Sequence, residues 1–259
     1  MAEPIFDTAL SIVNNARERN LELRLIGSNA FRLHCPEFRH LFSAMNRQLT
    51  DVDLAGLSKH WSSITRLCED MGFILDRRHA MHYPDRLLFT IPSNGLHVDV
   101  FLDRLSYCHT IDLRERLKYD NPTIPLADLL LEKMQIVQIN EKDIIDTIVL
   151  LREHELGASD ADERVNISYI SGLLSKDWGF CYTVTRNLEL TSSFLAKYPA
   201  LTQEDVSKVR TRIAELINRI ESHPKSTAWK LRARIGVRRR WYREVDESPF
   251  YRPQGSIQR

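Results

Sequence analysis

The chain of 259 residues has no apolar run approaching the roughly 18 residues that a bilayer-spanning helix requires. Its start, MAEPIFDTAL, lacks the basic opening and apolar centre of a secretory signal. A cytoplasmic location with no membrane partner is therefore the expectation. Cysteine is scarce: Cys35, Cys68, Cys108 and Cys181 are scattered with no CxxC pair, which excludes the usual zinc spacing and a disulfide framework and reads as four reduced thiols. No low-complexity stretch interrupts the chain, and no segments are similar enough to be repeats. No serine or cysteine nucleophile pattern accompanies His97, and Cys108 and His109 in YCHTIDL adjoin without an elbow or oxyanion motif, so a hydrolase is not indicated. An overall excess of charge is also missing, but the net +1 hides one local imbalance: from Lys225 to Arg243 there are eight Lys or Arg and no Asp or Glu.

What is present suits a globular protein. At 43% hydrophobic and 27% charged, the chain can bury a substantial core as one large domain or two smaller ones. Apolar spacing predicts a helix over 5–20, then a short alternating strand through Leu21, Leu23 and Leu25 that ends at Gly27 and Ser28. SKHWSSITRLCEDMGF predicts an amphipathic helix with a Ser58 cap and a Gly72 stop. FILDRR, RLLFTI and LHVDVFL follow as strands, the last two joined by a turn at SNG. From Pro125 the periodicity is helical, over 126–139, 141–155, about 160–175, 182–197, 203–221 and 226–244. The expected fold is α/β (α+β), a mixed sheet with flanking helices followed by an all-helical C-terminal region. The small, acidic GASDADE at 157–163 suggests a division into 1–157 and 158–259.

The chemistry begins at QLTDVDLAGL, where Asp51 and Asp53 stand among apolar residues. In a strand alternate side chains share a face, so the two carboxylates project together while Val52 and Leu54 point to the core. Side by side they would repel, and a divalent cation between them removes that penalty. Asp99, set between Val98 and Val100 and sharing its face with His97, is the third candidate. Such a carboxylate set is what two-metal phosphoryl or nucleotidyl transfer requires. A lone DxD, by contrast, commonly marks a strand end or a solvated edge. IGSNA adds a second signal, because Gly27 and Ser28 lie where a strand becomes a helix and backbone N–H groups can hold phosphate oxygens.

Taken together, Gly27-Ser28, Asp51-x-Asp53 and Asp99 resemble the pattern of the nucleotidyltransferase superfamily with the polymerase-beta-like fold. The stretch between Ser28 and Asp51 resembles the branch related to abortive-infection toxins, and the resemblance covers residues 20 to about 155. It implies that Asp51, Asp53 and Asp99 are catalytic and bind Mg²⁺ or Mn²⁺, that Gly27 and Ser28 bind nucleotide, and that an NTP is co-substrate.

PLADLLLEKMQIVQINEKDIID places Lys133 inside an apolar helical stripe of Leu126, Leu129, Leu130 and Val137. An ammonium there needs an anion, either a buried carboxylate or a bound triphosphate. The toxin-related enzymes carry a similar helix with an equivalent lysine followed by KDxxD. By that resemblance Lys133 binds the nucleotide phosphates, with Asp143 and Asp146 as supporting acids. Read from the residues alone, Asn140 can cap the next helix, with Asp143 complementing its dipole.

The resulting expectation is a Mg²⁺-dependent transfer of NMP from NTP to an acceptor hydroxyl with release of pyrophosphate. The alternative is an inactive nucleotide- or partner-binding member, such as a toxin–antitoxin component. The acceptor could be RNA, a protein or a small molecule, and nothing signals DNA. The basic 225–243 stretch with Trp229, Trp241 and Tyr242 has the composition of a phosphate-binding surface, although Trp229, Leu231, Ile235 and Val237 could equally be buried.

Overall fold

The computed structural model describes residues 4–244. In chain order the elements begin α1 (Pro4–Glu18), β1 (Leu23–Ile26), α2 (Gly27–His34), α3 (Arg39–Ala44), β2 (Val52–Gly56), α4 (Trp61–Asp70), β3 (Ile74–Leu75), α5 (Arg77–His82), β4 (Arg86–Thr90), β5 (His97–Leu102), β6 (Arg104–Ser106) and β7 (Thr110–Asp112). They continue α6 (Leu126–Met134), α7 (Glu141–Glu153), β8 (Leu156–Gly157), β9 (Val165–Asn166), α8 (Ile167–Leu174), α9 (Trp178–Phe194), α10 (Gln203–Ser222) and α11 (Thr227–Ile235). The protein is mixed α and β, with one five-stranded mixed sheet and a helical C-terminal region. None of the described helices is long and apolar enough to cross a membrane.

The described residues form two compact units, each discontinuous in sequence. One comprises 4–34, 48–105 and 110–125, and the other 35–47, 106–109 and 126–244. The first is built on the sheet in the order β1-β2-β5-β4-β3. β2 and β5 run parallel, and the remaining neighbours are antiparallel. Leu25, Val52, Leu54, Leu87, Phe89, Val98 and Val100 are buried on the strands, and α1 packs against β1 and α4. The SNG turn closes the β4–β5 hairpin with Gly95 at φ +70°, a conformation that costs glycine little. Gly72, at φ +84°, ends the turn after α4 as expected.

The second unit is a helical assembly in which α6 packs on α7, α8 and α9, and α10 packs on α7, α8 and α9. Its helices carry side-chain caps. Asn140 accepts from the Asp143 N–H at 3.0 Å, Asp177 from Phe180 at 3.0 Å, and Thr202 and Asp205 form a reciprocal capping box. The 157–163 stretch lies within this unit, between the short paired strands β8 and β9.

Several boundaries differ from the sequence reading. Ser58 opens a short 3₁₀ turn and does not cap α4: the helix starts three residues later at Trp61, with His60 at the cap position, and the Ser58 N–H donates to Asp103 Oδ1 at 2.9 Å. α6 stops at Met134, short of residue 139. The fully buried Asn187 amide of α9 donates to the carbonyls of Met134 at 2.9 Å and Ile136 at 2.8 Å, and so satisfies the end of the helix from outside it. α11 ends at Gly236, φ +59°, where a continuous helix to 244 was expected.

Candidate active site

Register brings two acids of the first unit together. Asp53 on β2 is the direct partner of Asp99 on the parallel strand β5, so the two side chains share a face with backbones about 4.8 Å apart. Asp51 lies immediately before β2, two residues from Asp53, and both are half-buried while Asp99 is only 7% exposed. On the other side of Asp53 is Ile26, the last residue of β1. Gly27 follows at φ +61° and starts α2 directly, with the Asp53 carboxylate lying against its Cα. A Cβ at Gly27 would overlap that carboxylate and stand 3.1 Å from the Asp53 Cβ, so both the backbone conformation and the close approach require glycine. Ser28, in the first turn of α2, is buried.

Two residues not singled out by sequence hold this arrangement. Asn29, wholly buried, donates from Nδ2 to the Asp51 carbonyl at 2.9 Å and so ties the first turn of α2 to the entry of β2. Its Oδ1 is buried without a hydrogen-bond partner among the described residues. Arg86, at the start of β4, is the cross-strand partner of Phe101 and lies diagonal to Asp99. Its Nε donates to Asp99 Oδ1 at 2.8 Å and Oδ2 at 3.0 Å, its Nη2 also donates to Oδ2, and the guanidinium stands 4.8 Å from the Phe101 ring centroid. His79 of α5 is buried nearby, its ring 4.8 Å from that of Tyr83. Burial, reinforced by the Arg86 charge, lowers the pKa of His79 and keeps the imidazole neutral. The carboxylates of Asp51, Asp53 and Asp99 are hard oxygen donors of the kind Mg²⁺ prefers, but the three do not gather within 4.8 Å of one another, and the third is engaged by a guanidinium.

Lys133 belongs to the second unit and is 8% exposed. Its Nζ lies 3.4 Å from Glu132, 3.3 Å from Asp143 and 3.4 Å from Asp146, so buried carboxylates supply the anion that its place in the stripe demands. Arg47 completes the cluster with a two-pronged contact to Asp146, 2.8 Å from Nε and 2.9 Å from Nη2. Burial alone would drive the Lys133 ammonium to lose its proton, but its three acidic neighbours outweigh that and hold its pKa well above the ordinary value. Burial likewise opposes ionisation of Asp146, and Arg47 and Lys133 reverse it. At Asp143 burial prevails over Lys133 and the pKa is raised.

The remaining sequence signals resolve into local roles. His97 is exposed at the start of β5, its Nδ1 3.4 Å from Thr90 Oγ1. Cys108 is buried, accepts from the Val137 N–H at 3.4 Å, and has its thiol pKa raised by that burial. His109 stacks on Phe180 at 4.8 Å, with its Nε2 2.9 Å from Thr183 Oγ1. Thr183 gives its hydroxyl hydrogen to the Gly179 carbonyl and accepts from Trp241 Nε1, so Nε2 of His109 carries the proton. In the basic stretch Trp229, Trp241 and Tyr242 are half-buried, whereas Leu231, Ile235 and Val237 are exposed. Arg232 is engaged structurally, with Nη1 donating to the Gly236 carbonyl and Nη2 to the Arg239 carbonyl, both at 2.7 Å.

Compared with protein-family models and with curated proteins, the chain matches none.

Proposed function

We propose that the first unit is a divalent-cation-dependent nucleotidyltransferase site. The observation that carries this reading is the register pairing of Asp53 with Asp99 on adjacent parallel strands, with Asp51 two residues before and the Gly27 backbone pressed on the Asp53 carboxylate. Asp51 and Asp53 hold the cation, Mg²⁺ or Mn²⁺, which supplies charge neutralisation at the phosphate oxygens. Gly27 and Ser28, at the start of an eight-residue helix that opens directly from a strand, lie where backbone N–H groups orient a phosphate. Asp99 takes the proton of an acceptor hydroxyl. The acceptor oxygen forms a bond to the α-phosphorus as the bond to the β-phosphate oxygen breaks, and pyrophosphate leaves. Lys133 has its charge answered inside the second unit, and its assignment to nucleotide phosphate rests on the resemblance alone.

A second reading, nucleotide or partner binding without turnover, is favoured by one feature: the Asp99 carboxylate is already occupied by Arg86. Thermal unfolding with each NTP in the presence of Mg²⁺, together with transfer of an α-phosphate label to RNA, protein or small-molecule acceptors, separates the two. At least one NTP should raise the melting temperature, and Asp53→Asn should abolish the rise. Stabilisation without label transfer supports the second reading, and no stabilisation by any NTP sinks the transferase and the nucleotide-binding readings alike.

A further inference from the structure

We propose that Arg86 is a latch on the third acid: it holds the Asp99 carboxylate, and a divalent cation can use that carboxylate only when the guanidinium lets go. The inference rests on the Asp51 and Asp53 cation site proposed above and adds Asp99 as a further ligand whose use is controlled. Three observations carry it.

The first is geometric. Arg86 contacts both Asp99 oxygens, the two-pronged arrangement that a planar guanidinium makes and a single-point cation cannot. Both oxygens then face a fixed positive charge, and an incoming cation is repelled by the same charge that neutralises its ligand.

The second is support. Arg86 starts β4 with its guanidinium over the Phe101 ring, and the strand register that pairs Arg86 with Phe101 and Leu88 with Asp99 aims it at the acid. The contact is therefore set by the sheet and is not an accident of a long side chain.

The third is an asymmetry of burial. The Arg86 side chain is 24% exposed and that of Asp99 only 10%, so the arginine has a way out to water while the aspartate stays. Leaving Asp99 buried and unpaired is unfavourable, which makes release of Arg86 depend on arrival of another cation. Charge counting agrees. Asp51, Asp53 and Asp99 with Arg86 in place sum to −2, which one divalent ion balances. Freeing Asp99 exposes a third negative charge and with it the capacity for a second ion.

The test is Mn²⁺ binding to the full chain at fixed ionic strength, read from the loss of the free-ion electron paramagnetic resonance signal. Arg86→Met keeps the apolar stem over Phe101 and removes the charge. It should bind Mn²⁺ about tenfold more tightly than the parent, because a repelling charge is gone and a ligand is freed. The gain should vanish in the Arg86→Met/Asp99→Asn double variant. Equal or weaker binding by Arg86→Met, with parent binding abolished by Asp53→Asn, overturns the latch and leaves the cation site standing. Absence of Mn²⁺ binding in parent and variant alike removes the site and the latch together. Arg86→Lys keeps a cation on the strand but not the fork, and covers the case in which Arg86→Met does not fold. It should tighten Mn²⁺ binding about threefold, and unchanged affinity overturns the proposal.

Discussion

One buried imidazole, that of His109, contributes a defined part of the molecule's response to acid. His109 is held to a pKa of about 4 by burial, against 6.5 for an ordinary histidine. Because the folded value is depressed, the unfolded chain binds the proton more readily between those limits. The stabilising contribution is complete above pH 6.5 and is lost as pH falls towards 4, about 3 kcal/mol in all. Chemical denaturation across that range should show the loss, and His109→Gln should flatten it; a parent profile no steeper than the variant's would refute the assignment. At this scale legibility divides by range. Asp51, Asp53, Gly27 and Lys133 were visible in sequence because alternation and helical period are local rules. Asn29 and Arg86 were not, because the first acts by a hydrogen bond to a carbonyl 22 positions away and the second through a cross-strand register that no local pattern encodes. Arg86 offered only a faint signal, a charged residue on the same alternating face of RLLFT as the core residue Leu88.

Elements α6 and α7 are joined by charge as well as by apolar packing. Lys133 on α6 serves three carboxylates, Glu132 beside it and Asp143 and Asp146 on α7, and Arg47 is the second described cation of the cluster. Lys133→Met would leave three buried acids facing one guanidinium. We expect a loss of about 3–5 kcal/mol in urea unfolding, the usual consequence of removing one partner from a buried ionic network. A change within experimental error would show that the cluster sheds its charge by taking up protons. The helices themselves were legible: six were expected after Pro125, and α6 to α11 answer to them in order. Their ends were not, wherever a distant group sets the stop. Asn187 truncates α6 and a left-handed glycine truncates α11, whereas Asn140, which acts on its own helix, was read correctly as a cap.

On the scale of the whole molecule, the chain passes between its two units at 34–35, 47–48, 105–106, 109–110 and 125–126, so neither is a contiguous piece of sequence. A fragment ending at residue 157 keeps α6 and α7 but discards α8, α9 and α10, against which they pack. It should bind hydrophobic dye and unfold without a sharp transition, where the full chain unfolds cooperatively; a sharp transition in the fragment would show that α6 and α7 need none of those helices. The same interleaving has a consequence in time. Arg47 leaves the ribosome 99 residues ahead of Asp146, the carboxylate it grips. At about 5–20 residues per second, the segment carrying Arg47 waits on the order of 5–20 s for its partner to be made. During that interval Leu41 and Phe42, destined for the core, have no α7 to cover them. Slowing synthesis between codons 48 and 146 would lengthen that exposure.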